Sequence, residues 1–129
     1  MELRDLRILV LDDRPDTLEI FSELLTLLGA QTRMASTAHV ALQMLGSFLP
    51  HVVISDLEMP GKDGYEFLAD LRAAGETVPV IASTGYTTAY HEARANAAGF
   101  AAFLPKPASL DAIAQTVLRV LGRGEPESA

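Results

Sequence analysis

At 129 residues, 49% hydrophobic and 21% charged, the chain is sized for one domain that buries a core of its own. A net charge of −7 makes it a poor electrostatic match to nucleic acid, and no apolar run approaches the ~20 residues of a membrane span. The absence of cysteine excludes disulfides and thiolate metal sites and fits a cytoplasmic protein, and the acid-broken N-terminus MELRDLRILVLDD does not read as a signal peptide. In chain order, Leu6–Asp12 is a short apolar strand ending in acids. A helix follows, opened by Pro15 and stopped by Gly29, with Leu18, Phe21, Leu25 and Leu28 at 3-4-3 spacing. Thr32–Ser36 is more polar, as an edge strand would be. The next helix turns Ala38, Ala41, Leu42 and Leu45 inward. His51–Asp56 is the third strand, and Phe67, Leu68 and Leu71 are the stripe of the third helix. Val78–Ser83 is the fourth strand, and Thr88–Ala98 an alanine-rich helix stopped by Gly99. Phe100–Leu104 is the fifth strand. Ser109 caps a last helix whose Leu110, Ile113, Val117 and Val120 face inward. Residues 123–129 carry no pattern and read as a frayed or linker tail.

Strict alternation of strands and helices predicts an α/β fold with a parallel sheet covered on both faces. Continuous apolar runs in strands 1, 3 and 4 place these at its centre. In such a sheet ligands bind beyond the carboxyl ends of the strands. Asp12 and Asp13 end strand 1, Asp56 ends strand 3, Ser83-Thr84-Gly85 end strand 4, and strand 5 runs into Pro105-Lys106-Pro107. Three carboxylates at one rim repel one another, and a divalent cation resolves the conflict. Hard oxygen donors from few carboxylates match Mg²⁺ and are too few for a Ca²⁺ cage. Loosely held Mg²⁺ beside a lysine and a hydroxyl suits an incoming phosphoryl group. A rigid strand end aims Asp56, and Pro60, Gly61 and Gly64 turn the backbone away from it. The chain has only two lysines, Lys62 and Lys106; the first reads as exposed surface.

The acid pair in LDDRPD, the D-x-x-M-P-G-x-D-G that begins at Asp56, S-T-G after strand 4 and F-L-P-K-P at strand 5 together resemble the response-regulator receiver domain of two-component signalling. The resemblance runs from Arg7 to Gly122, so residues 1–122 read as the receiver. It implies a flavodoxin-like (βα)5 three-layer sandwich with strand order 2-1-3-4-5 and a Mg²⁺-dependent phosphoaspartate. By position, Asp56 resembles the phosphoacceptor, Asp13 the direct Mg²⁺ ligand, Asp12 an acid acting largely through metal-bound water, and the Glu58 carbonyl a further ligand. Lys106 resembles the cation that pairs with the phosphoryl group, ahead of a cis Lys106–Pro107 bond. Thr84 resembles the switch hydroxyl and Phe103 its coupled aromatic, read on the helix 4–strand 5–helix 5 face. Gly85 and Tyr86 flank the site; Glu58 and Tyr86 are expected to hinder the attacking water, making the phosphoaspartate long-lived. Implied partners are a sensor histidine kinase or phosphotransfer protein and an unknown protein target; nucleic acid and membrane are not expected, and homodimerisation on phosphorylation is left open. The expected chemistry is the domain's own phosphorylation and slow dephosphorylation rather than conventional enzyme turnover.

Other readings fit the residues less well. STGYTT has the hydroxyls of a flavin phosphate loop, but such a loop follows strand 1, where this chain has acids. HEARAN sits on one short crossover helix, not the helical hairpin of a kinase's phosphodonor, so His91 reads as a surface residue. His39 is likewise a surface residue, and His51, at the start of strand 3, lies at the wrong end of the sheet. A haloacid-dehalogenase-type phosphatase needs D-x-D and a cap, whereas this chain has D-D and then Pro15. A receiver-like binding module that works without phosphorylation remains the alternative.

Overall fold

The computed structural model describes residues 2–85 and 88–122; Tyr86 and the tail 123–129 lie outside the described residues. Ten elements alternate: β1 Arg7–Leu11, α1 Pro15–Leu27, β2 Gln31–Ala35, α2 Ala38–Phe48, β3 Val52–Asp56, α3 Gly64–Ala73, β4 Val80–Thr84, α4 Ala89–Ala98, β5 Ala102–Pro105 and α5 Leu110–Val120. The strands form one parallel sheet in the order β2-β1-β3-β4-β5, the flavodoxin-like order that was expected. β3 and β4 are buried along their whole length and β1 nearly so, while β2 alternates exposed and half-buried residues up to Ala35, as an edge does.

Period-2 alternation splits the apolar residues of the central strands between two cores. Leu9, Leu11, Val53, Val80 and Ala82 face a core completed by α2 and α3. Ile8, Val10, Val52, Ile54 and Ile81 face a second, completed by Phe21 and Leu25 of α1 and by Ile113, Ala114 and Val117 of α5. The helix starts are fixed by side chains: Thr37, Thr88 and Ser109 each accept an N–H three residues on, and Asp63 and Glu66 close a reciprocal capping box on α3.

Several boundaries and one inward assignment differ from the predicted ones. β4 enters the ladder at Val80, because Pro79 has no N–H to donate. β5 starts at Ala102, since the Phe100 N–H is committed to the carbonyl of Ala95 as α4 terminates over left-handed Gly99. Leu110 is the first residue of α5 and is 37% exposed, outside the stripe that buries Ile113 and Val117. α2 ends on Leu49 in the left-handed region at φ 51°, its N–H on the carbonyl of Leu45. Arg7 Nε donates to the carbonyls of Phe48 and Leu49, satisfying two of that helix's last acceptors. His51 lies at the end of the sheet away from the acids, as predicted, where its Nδ1 accepts the Arg7 N–H at 2.9 Å.

Candidate functional site

The ends of β1, β3 and β5 bring four charged side chains together. Carboxylate oxygens of Asp12, Asp13 and Asp56 lie within 4.8 Å of one another. Lys106, just past β5, donates to Asp12 Oδ2 at 2.5 Å, and its Nζ lies 3.4 Å from Asp56 Oδ1. The turn backbones contribute too: the Arg14 N–H donates to Asp12 Oδ1 at 2.9 Å and the Glu58 N–H to Asp56 Oδ1 at 3.3 Å. Lys106 is itself positioned by its N–H on the Thr84 carbonyl at 2.9 Å, and the Lys106–Pro107 bond is cis, as expected. An open depression of 370 Å³ lies over the group, lined by Asp13, Arg14, Thr17, Asp56, Glu58, Thr84, Gly85 and Lys106. Thr17 and Arg14 were not among the predicted site residues; they line it because α1 starts immediately after the acid pair.

Asp56 is only 5% exposed and Asp12 1%, whereas Asp13 is half-buried. Burial raises the Asp56 pKa above its ordinary 3.8; Lys106 opposes this, the neighbouring Asp12 adds to it, and the Glu58 N–H opposes it again. One lysine therefore does not neutralise the cluster, and oxygen donors this closely grouped suit a small hard cation such as Mg²⁺. The pH dependence has a definite sign. Above the raised pKa, the ionised Asp56 costs the fold stability; as pH falls from there toward 3.8 the folded state takes up the proton first and the cost is relieved. Asp56→Asn in metal-free buffer is thus expected to melt on the order of 2–4 °C higher than the unaltered chain at neutral pH, with the gap shrinking in mild acid. Thermal melts in chelator at both pH values check this; a gap that does not shrink, or a variant less stable at neutral pH, contradicts it.

Residues 8–118 match the model of the response regulator receiver domain. The chain belongs to that family. The chain is 36% identical to the sensor histidine kinase RcsC of Escherichia coli K12 over 113 residues, covering 88% of this chain and 12% of the kinase. It is 31% identical to the response regulator MprA of Mycobacterium tuberculosis H37Ra over 123 residues, covering 95% of this chain and 54% of the regulator. The chain thus spans only part of the length of these relatives. Among solved structures, the receiver domain of the Francisella response regulator 1452 superposes with a TM-score of 0.80 at 25% identity, covering 91% of this chain and 94% of that one. The chemotaxis response regulator CheY4 of Vibrio cholerae superposes at 0.81 and 26%, covering 89% and 98%.

Among the described residues, Thr84 and Gly85 also fall at this rim. Thr84 ends β4 and is 1% exposed. Phe103 on β5 pairs in register with Ala82, two residues before Thr84, so Thr84 and Phe103 project from the same face of the sheet. Phe103 is half-buried and lines a 460 Å³ cleft between α4 and α5 with Ala89, Ala93 and Arg119. Glu58 and Gly85 are exposed at the lip of the depression. Tyr86, the other flanking position, lies outside the described residues. Lys62 is exposed, as predicted, and forms an ion pair with Asp70. His39 is exposed, and His91 pairs with the capping hydroxyl of Thr88 at 2.5 Å. Among the described residues no helix is long and apolar enough to cross a membrane.

Proposed function

We propose that Asp56 accepts a phosphoryl group from the phosphohistidine of a sensor kinase or phosphotransfer protein. The observation that carries this reading is the convergence of Asp12, Asp13, Asp56 and Lys106 at the mouth of an open depression. Asp12, Asp13, Asp56 and the Glu58 carbonyl would hold Mg²⁺, which supplies positive charge between the acids and the phosphoryl oxygens. A carboxylate oxygen of Asp56, fixed by the strand end, bonds to phosphorus in line as the P–N bond breaks and its electron pair passes to the donor's ring nitrogen. Lys106 exchanges part of its hold on Asp12 for a phosphoryl oxygen. The new group adds close to two negative charges and three acceptors, giving the Thr84 hydroxyl a partner that exists only in the phosphorylated state. As Thr84 moves inward, Phe103 follows on the same face, changing the α4–β5–α5 surface that a protein target reads. Glu58 at the lip, together with the ring of Tyr86, keeps water from attacking the phosphoaspartate. The donor implies a cytoplasmic setting.

The donor's footprint is suggested by α1. Besides its buried stripe it carries a second one, Thr17, Ile20, Leu24 and Leu27, in which Ile20 is 56% and Leu27 67% exposed. Thr17, Ile20 and Leu24 of this stripe line a 290 Å³ apolar groove that shares Thr17 and Lys106 with the acid depression. A helical donor seated there would bring its histidine to Asp56. Phosphotransfer from a histidine-phosphorylated phosphotransfer domain tests the reading. Asp56→Asn should take no label from either the protein donor or acetyl phosphate. Ile20→Glu should lose at least about tenfold in transfer rate from the protein donor, the scale of a docked apolar anchor, while labelling normally with acetyl phosphate. Label retained by Asp56→Asn contradicts the phosphoacceptor assignment; undiminished transfer to Ile20→Glu contradicts the docking face.

A further inference from the structure

α4 is held to the molecule by little apolar burial. Only Ala95 of its ten residues is buried, against two in α1 and four in each of α2, α3 and α5. A cation–π contact links it to the neighbouring helix: the Arg94 guanidinium carbon lies 4.2 Å from the centroid of the Tyr65 ring on α3. Tyr65 also meets Phe100 edge-on at 5.6 Å, just past the end of α4. Its hydroxyl is buried and has no hydrogen-bond partner among the described residues. Along the chain Tyr65 also adjoins the site's own framework. It follows Gly64, whose backbone lies against the Asp56 carbonyl, and its phenol feels the charge of Glu58 on the turn beyond Asp56.

We propose that Tyr65 and Arg94 form a latch that seats α4 in the resting state and ties that seat to the turn carrying Asp56 and Glu58. The two residues act in opposite senses. The guanidinium over the ring stabilises the seated helix. The buried, unpaired hydroxyl penalises it, and the penalty is relieved when α4 lifts and the hydroxyl meets water. A helix balanced in this way opens locally at a small fraction of the cost of global unfolding. Movement of the Asp56–Glu58 turn shifts the Tyr65 ring and hence the balance. That last step, regulation of α4 from the acid site, rests on the phosphoacceptor reading; the seating of α4 does not.

Amide hydrogen exchange on the full chain without a phosphodonor tests the seat. Arg94→Ala is expected to raise exchange across Ala89–Ala98 about three- to fivefold, leaving the protected amides of α1, α3 and the sheet unchanged. Tyr65→Phe keeps the stack and removes the orphaned hydroxyl, so it should slow exchange in α4. Unchanged α4 exchange in Arg94→Ala, a general rise through the fold, or exchange in Tyr65→Phe that is not slowed overturns the latch. With acetyl phosphate and Mg²⁺ added, and phosphoryl incorporation verified by mass, α4 of the unaltered chain should rise toward the Arg94→Ala level. Incorporation with no change in α4 overturns the regulatory step alone. No incorporation overturns the phosphoacceptor reading and the regulatory step together, while the measurements without a donor still decide the seat.

Discussion

Gly64→Ala is expected to cost the fold about 3 kcal/mol or more, the upper range of overpacking and strain effects. Gly64 opens α3 directly against the end of β3, its N–H on the Leu57 carbonyl at 3.2 Å. A Cβ there would lie 2.2 Å from the Asp56 carbonyl oxygen, 3.0 Å from Leu57 Cα and 3.1 Å from Asp56 C. All three are backbone atoms of the last residue of β3 and the residue after it, so no side chain can swing aside. Helix propensity works the other way, favouring alanine by about 1 kcal/mol, and the clash outweighs it. Gly46, inside α2 with nothing within 4 Å of its added Cβ, supplies the control. Gly46→Ala should gain about 0.5–1 kcal/mol from propensity alone. Urea unfolding of the two variants should therefore give opposite signs. A Gly64→Ala protein as stable as the unaltered chain would mean that α3 is not pressed against Asp56 as described.

Lys106→Met should be the most damaging change to the site that leaves its backbone intact. Among the described residues the ammonium is the one cation paired with two acids whose side chains are only 2% and 6% exposed. Removing it strands buried charge, a loss that reaches 3–5 kcal/mol for fully buried pairs; with Lys106 itself 19% exposed, about 2–3 kcal/mol is expected. The loss should be largest in chelator and smaller with Mg²⁺, which takes over part of the neutralisation. Combining it with Asp56→Asn should recover part of the loss, because the two changes act on one charge cluster. Denaturant melts of the two single variants and the double variant, with and without Mg²⁺, check this. A loss below about 0.5 kcal/mol, the usual scale of a surface substitution, would mean the lysine is only a solvated neighbour.

The rim was legible because it rests on strong local signals, whereas the strand order followed only from the resemblance to receiver domains. Apolar runs ending in Asp12 and Asp56, helix stops at Gly29 and Gly99, and the parallel-sheet rule together place the acids at one rim. What escaped depends on tertiary accounting. In α1 the buried stripe through Phe21, Leu25 and Leu28 was legible, but the second, exposed stripe through Ile20 and Leu27 was not. β5 begins late because the Phe100 N–H is consumed by the end of α4, a bond made by Gly99 rather than by any strand propensity. Tyr65 sits one position outside the Phe67–Leu68–Leu71 stripe, so periodicity gives it no role; its contacts come from α4, far along the chain. The D-x-x-E of Asp63 and Glu66 was readable as a capping box and fixes where α3 starts. Leu49 in a left-handed helix end carried no such signal, since glycine is the residue expected there.

The most direct test is the intact mass of the purified chain after incubation with acetyl phosphate, with Mg²⁺ or with chelator, followed by mapping of the modified peptide. One phosphoryl group should be gained with Mg²⁺, carried by the peptide containing Asp56, and it should be absent both in chelator and in Asp56→Asn. No adduct with Mg²⁺, or one that forms equally in chelator or survives Asp56→Asn, would contradict a cation-dependent phosphoacceptor among these acids.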